Sequence, residues 1–235
     1  MTGRIITLRA ADDHRFSAYL AEPETAPLGA VVVIQEIFGV NSHICDVCDR
    51  WAAKGFRAVA PALFDRIERG VSLAYDPSGT GRGRALRQSL GWEDPLKDIA
   101  AAADAVGRGG PVAVVGFCWG GSLAWLSACR LRLVAAACYY GGQIVDFQEE
   151  HPHCPTELHF GSADPLIPPE HVEAIRERHP GTPLYLYEAG HGFNCDRRQD
   201  FDVEASAVAQ QRTEALFARA FDLGPNWGAP NGSDS

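Results

Sequence analysis

The run Val112-Ala113-Val114-Val115-Gly116-Phe117-Cys118-Trp119-Gly120-Gly121 constrains this chain more than any other stretch. An apolar, β-branched segment ends in Gly-x-Cys-x-Gly, and a helix-like segment, Ser122 to Arg130, follows at once. That layout predicts a sharp strand-to-helix turn, a nucleophile elbow, with cysteine at its tip. Glycine is needed at Gly116 and Gly120 because the strained backbone of such a tip leaves no room there for side chains. The turn sets the sulfur at a helix N-terminus, where oriented N–H groups favour thiolate over thiol. Over these residues alone, a glycine-rich turn around a buried structural cysteine reads the same way.

The remainder of the chain supplies a frame for the turn. Arg4–Arg9 and Arg15–Ala21 read as a leading hairpin, with Asp12 and Asp13 between them. The further strands expected are Ala30–Gln35, Arg57–Pro61, Val112–Gly116, Leu133–Tyr139, Thr156–Gly161 and Leu184–Glu188. They alternate with helices over Ser42–Lys54, Pro95–Gly107, Gly120–Arg130, Pro168–Arg178 and Val203–Leu223. Continuous apolar strands such as Ala30-Val31-Val32-Val33-Ile34 suit a sheet buried on both faces, and the alternation implies parallel βαβ units. The expectation is an α/β-hydrolase fold: a mostly parallel sheet with helices on both faces, formed as one domain by residues 1–223. Residues 62–92 exceed a simple connection and read as a cap or binding loop. Residues 224–235, rich in Gly, Pro, Asn and Ser, read as a flexible tail.

Charge narrows the partners. A net charge of −9 argues against nucleic acid, whose binding draws on clustered Lys and Arg, and against an anionic membrane. No apolar run approaches the roughly 20 residues of a membrane helix, and the N-terminal residues lack a signal-peptide core. Seven scattered cysteines do not space as a disulfide framework, so a reducing cytoplasm is the expected setting. The partner expected is a small molecule, with the chain a monomer or a small homo-oligomer.

A hydrolase of this architecture needs nucleophile, acid and histidine in that chain order, each beyond the carboxyl end of a strand. Leu158-His159-Phe160-Gly161 runs into Ser162-Ala163-Asp164, and Leu184-Tyr185-Leu186-Tyr187 runs into Glu188-Ala189-Gly190-His191. Asp164 alone could be a turn-former before Pro165, and His191 alone an ordinary loop histidine. Elbow, order and both placements together favour a triad. In it His191 takes the thiol proton and later activates water, while Asp164 fixes the imidazole tautomer. The loop after Ile34 reads Gln35-Glu36-Ile37-Phe38-Gly39, so oxyanion-hole N–H groups are expected from Ile37 and Trp119. Glu36 reads equally as a loop acid or as a partner for the Cys118 thiol that competes with His191 for its proton.

These residues resemble the dienelactone hydrolase family, that of carboxymethylenebutenolidase. The matching motifs are Gln35-Glu36-Ile37-Phe38-Gly39-Val40-Asn41, Pro61-Ala62-Leu63-Phe64, Gly116-Phe117-Cys118-Trp119-Gly120-Gly121, Tyr139-Tyr140-Gly141, His159-Phe160-Gly161 and Gly190-His191-Gly192-Phe193. The resemblance implies a Cys118–His191–Asp164 triad without cofactor or metal. It also implies that Glu36 binds the resting thiol and takes part in its substrate-triggered activation. The implied reaction is opening of an unsaturated lactone, dienelactone, to maleylacetate, in which attack expels a stabilised enolate. Family members hold the substrate carboxylate with arginines, one of them shortly after the catalytic histidine. Here the fourth residue after His191 is Cys195, and arginine follows only at Arg197 and Arg198. The cap segment offers Arg82, Arg84 and Arg87. Arg84 and Arg197 are the expected substrate ligands, since a guanidinium meets a carboxylate through a bidentate fork.

Other clusters point to no chemistry. Cys45-Asp46-Val47-Cys48 has CxxC spacing but lies within a helical pattern and lacks a second ligand pair. His151, His153 and Cys154 sit among Pro152 and Pro155 in a loop. Besides the lactone hydrolase, two readings stand: a broad carboxylesterase or thioesterase with the same triad, and a non-catalytic binding module of hydrolase fold.

Overall fold

The computed structural model describes residues 3–224 and 227. Eight strands form one sheet in the order β1-β2-β4-β3-β5-β6-β7-β8. They are β1 (Arg4–Arg9), β2 (Arg15–Ala21), β3 (Ala30–Ile34), β4 (Arg57–Pro61), β5 (Val112–Phe117), β6 (Ala135–Tyr139), β7 (Thr156–Gly161) and β8 (Leu184–Tyr187). The leading hairpin is antiparallel and adds β2 to β4 antiparallel; from β4 through β8 every pairing is parallel. The central strands β3, β5, β6 and β7 are buried along their whole length, as expected of apolar strands covered on both faces.

The helices are α1 (Ser42–Ala53), α2 (Pro77–Leu90), α3 (Glu93–Gly107), α4 (Trp119–Arg130), α5 (Pro169–Arg178) and α6 (Val203–Ala220). α1 and α6 meet through the rings of Trp51 and Phe217, 4.9 Å apart, while α3 and α4 contact one another in a separate layer. This is the α/β-hydrolase architecture expected. Strand order reverses between β3 and β5, so the loops leaving those neighbouring strands open a crevice at one rim of the sheet.

One element departs from expectation. The stretch read as a cap or binding loop, for which no helix was expected, contains the fourteen-residue helix α2. Three glycines and many polar residues lower its intrinsic helicity, by about 1 kcal/mol per glycine relative to alanine. Its start was nevertheless legible: Asp76 caps the helix by accepting from the Gly79 N–H at 2.7 Å, and Pro77 takes the first turn. Leu86 and Leu90, four apart, are its buried stripe. Of the presumed tail, Trp227 packs edge-on against Phe56 and donates to the Lys54 carbonyl. The expectation of flexibility for the rest of 224–235, apart from Gly224, falls outside the described residues.

Candidate active site

Cys118 joins β5 to α4 with φ 54° and ψ −118°, a conformation that few non-glycine residues adopt. The turn closes only because its neighbours lack side chains. A Cβ on Gly116 would overlap the Gly120 carbonyl, and one on Gly120 would overlap the Ile34 and Gln35 carbonyls. Trp119 is the first residue of α4, so its N–H is among the donors that the helix itself leaves unpaired.

Three loops converge on the sulfur. His191, after β8, sets Nε2 3.1 Å from Cys118 Sγ and Nδ1 2.7 Å from Asp164 Oδ2, after β7. A carboxylate only accepts, so Nδ1 carries a proton and the tautomer is fixed. Asp164 is itself oriented by the Leu166 N–H, at 2.8 Å to its other oxygen. Both His191 and Asp164 are buried, and the Tyr140 ring lies 5.2 Å from the imidazole. The structure thus brings together the three residues that the sequence paired only by order.

Burial is the largest influence on His191 and works to lower its pKa. The facing Cys118 sulfur and the hydrogen bond to Asp164 overcome it and raise the group from 6.5 to about 10. A pKa raised by folding stabilises the protein fully below the unfolded value near 6.5, and that contribution is lost as pH climbs through about 10. An imidazole NMR titration should therefore find His191 still protonated at pH 8. The melting difference between the native chain and His191→Gln should shrink from pH 7 to 10; an imidazole midpoint near 6.5 would contradict both.

The loop after β3 is clamped by Gln35, whose Nε2 donates to the Glu36 carbonyl while its Oε1 accepts from the Leu63 N–H. Glu36 is buried, and here an expectation needs correcting. Its carboxylate makes no hydrogen bond to the Cys118 sulfur. Oε2 accepts from the Tyr75 hydroxyl at 2.9 Å and Oε1 from Arg198 Nη1 at 3.1 Å. A buried carboxylate is costly unless its charge is matched, and a guanidinium and a phenol match it better than a thiol does.

Ile37, Phe38, Cys118, Trp119 and His191 line a cavity of about 260 Å³, closed by Thr80, Arg84 and Arg87 of α2 and by Arg198, Leu166 and Ile167. Arg84, one of the two arginines expected to bind substrate, lines the cavity. Arg197 is not: it turns to the surface and pairs with Asp46 of α1 at 2.8 Å. The next residue, Arg198, faces the cavity instead, with its guanidinium about 6 Å from the Phe38 and Tyr75 rings. Spacing from His191 could not separate the two, because loop direction decides which side chain points inward. Gln35 and Tyr75 were missed altogether; only the apolar strand end before Gln35 hinted at a buried polar side chain. Among the described residues, His43, Cys195 and Asp196 bring metal-type donors within 4.8 Å of one another, but His43 is already bonded to Asp196 at 3.2 Å.

The sequence profile of the dienelactone hydrolase family matches residues 16–221. The chain belongs to that family. A Pseudomonas putida protein named carboxymethylenebutenolidase is 30% identical over 218 residues, covering 88% of this chain and 92% of its own. A Synechocystis protein provisionally given the same name is 35% identical over 231 residues, covering 86% and 91%. A crystal structure from Klebsiella pneumoniae, provisionally described as a dienelactone hydrolase, superposes with a TM-score of 0.80 at 30% identity, covering 92% of this chain and 99% of that one. This dienelactone hydrolase family member is a hydrolase acting on ester bonds. No helix among its described residues is long and apolar enough to cross a membrane.

Proposed function

We propose that this enzyme hydrolyses a small unsaturated lactone or enol ester bearing a carboxylate, of the dienelactone type, through an acyl-thioester on Cys118. The reading is carried by one observation: the unbroken chain Sγ, Nε2, Nδ1, Oδ2 at the floor of an arginine-bearing cavity. With His191 holding the proton of the Cys118–His191 pair, the sulfur attacks the carbonyl carbon. The oxyanion takes the Ile37 and Trp119 N–H groups. Collapse breaks the ring C–O bond, and the departing enolate takes the proton from His191, which is left neutral. Water then gives a proton to His191 and attacks the thioester, releasing the acid and restoring the thiol.

The substrate carboxylate meets Arg84 and Arg198. At Arg198 it competes with Glu36, and a Glu36 released from that pairing is free to turn toward the Cys118 thiol. This gives a physical route for the activation that family resemblance implies. The seven free cysteines accord with a reducing cytoplasm as the working compartment.

A charge-assisted hydrogen bond contributes about 1.5–3 kcal/mol, so the carboxylate should raise kcat/KM about 10–100-fold. The test compares dienelactone with its neutral methyl ester. Equal specificity constants would sink the carboxylate anchor and leave a broad carboxylesterase using the same triad.

A further inference from the structure

The cavity holds more positive charge than one carboxylate can use. Most arginines of this acidic chain are paired: Arg82 with Glu68, Arg197 with Asp46, Arg198 with Glu36. Among the described residues no carboxylate forms an ion pair with Arg84 or Arg87, and both face the cavity from α2. Arg87 is half-buried, and its guanidinium lies 5.3 Å above the Trp92 ring, which is braced edge-on by Phe147 at 5.0 Å. A stacked guanidinium is held in place rather than waving in water, so its charge is pre-positioned.

Its location separates it from the other arginines. An adjoining hollow shares Arg84, Arg198, Thr80 and Phe38 with the catalytic cavity and is also lined by Asp76 and Asp200. Arg87 does not reach that hollow. On α2, Arg87 lies three residues beyond Arg84, about 4.5 Å of helical rise. The cavity therefore has positive charge at two places: Arg84 with Arg198 beside the adjoining hollow, and Arg87 one turn further along α2.

Resting on the ester-hydrolase reading and deepening it, we propose that Arg87 forms a second anion subsite, and that the preferred substrates are dianionic esters with one carboxylate at Arg84 and Arg198 and the other at Arg87. The first carboxylate takes Arg84 and displaces Glu36 from Arg198. The second takes Arg87, which has no ion pair with a carboxylate among the described residues. Leu166 and Ile167 add apolar surface to the same cavity.

Calorimetry with adipate and hexanoate tests the subsite without relying on turnover. The native protein should bind adipate at least tenfold more tightly than hexanoate. Arg87→Gln should remove most of that preference, Arg87→Lys should restore part of it, and Arg82→Gln, outside the cavity, should keep it. No preference for adipate in the native protein, or one that survives Arg87→Gln in a variant with native melting behaviour, overturns the proposal. Hydrolysis of phenyl acetate by the native protein but not by Cys118→Ala checks the underlying reaction separately. Loss of that difference with the adipate preference intact would sink the reaction and keep the subsite.

Discussion

Cys118→Ala is expected to lower kcat/KM for any good ester substrate by a factor of about 10⁴ or more while leaving the fold in place. The change removes one half-buried sulfur from a position whose backbone angles alanine can share with cysteine at similar cost. Losing the nucleophile leaves only the oxyanion donors and the binding of substrate, and these cannot form the acyl intermediate. The same variant has a second readout. The Cys118 sulfur is one of the groups that raise His191, so its removal should bring the imidazole midpoint down from about 10. Asp164 continues to raise it, and burial continues to lower it. Undiminished turnover with this variant would show that another group attacks the ester.

What the sequence made legible is what local chemistry dictates. The hairpin Arg4–Arg9 and Arg15–Ala21, and the strands Arg57–Pro61 and Thr156–Gly161, end where their apolar runs end. The elbow could be read because a positive-φ cysteine between close-packed turns admits so few neighbours. Triad order could be read because each member follows a strand. Contacts decided by loop geometry were not legible. Arg197 and Arg198 are adjacent in sequence, yet one pairs with Asp46 on the surface and the other with buried Glu36. Glu36 could be located beside the site, but its partner Tyr75 lies 39 residues further on, in a segment whose glycines hid a helix. Tertiary packing overrode intrinsic propensity there: Gly83 lets α2 lie directly on the Ile37 carbonyl, which brings Arg84 and Arg87 over the cavity.

Gly116→Ala is expected to destabilise the fold strongly through a single methyl group. The added carbon would overlap the Gly120 carbonyl and stand 3.1 Å from the Ala124 methyl group. Neither can give way cheaply. Gly120 belongs to the first turn of α4, and that turn is pressed against the carbonyls of Ile34 and Gln35. Relief requires moving α4 off β5, which would also withdraw the sulfur from His191. Overpacking of this kind, against backbone rather than a flexible side chain, costs about 4 kcal/mol or more. For a domain of this size each kcal/mol lowers Tm by about 2–4 °C, so a fall of about 8–16 °C is expected. Gly181 is the matched control, since a methyl group there meets nothing within 4 Å. Gly181→Ala should leave Tm unchanged or raise it slightly, by restricting the unfolded chain. If the two variants melt together, the elbow does not need its glycine, and the account of how this turn presents Cys118 fails with it.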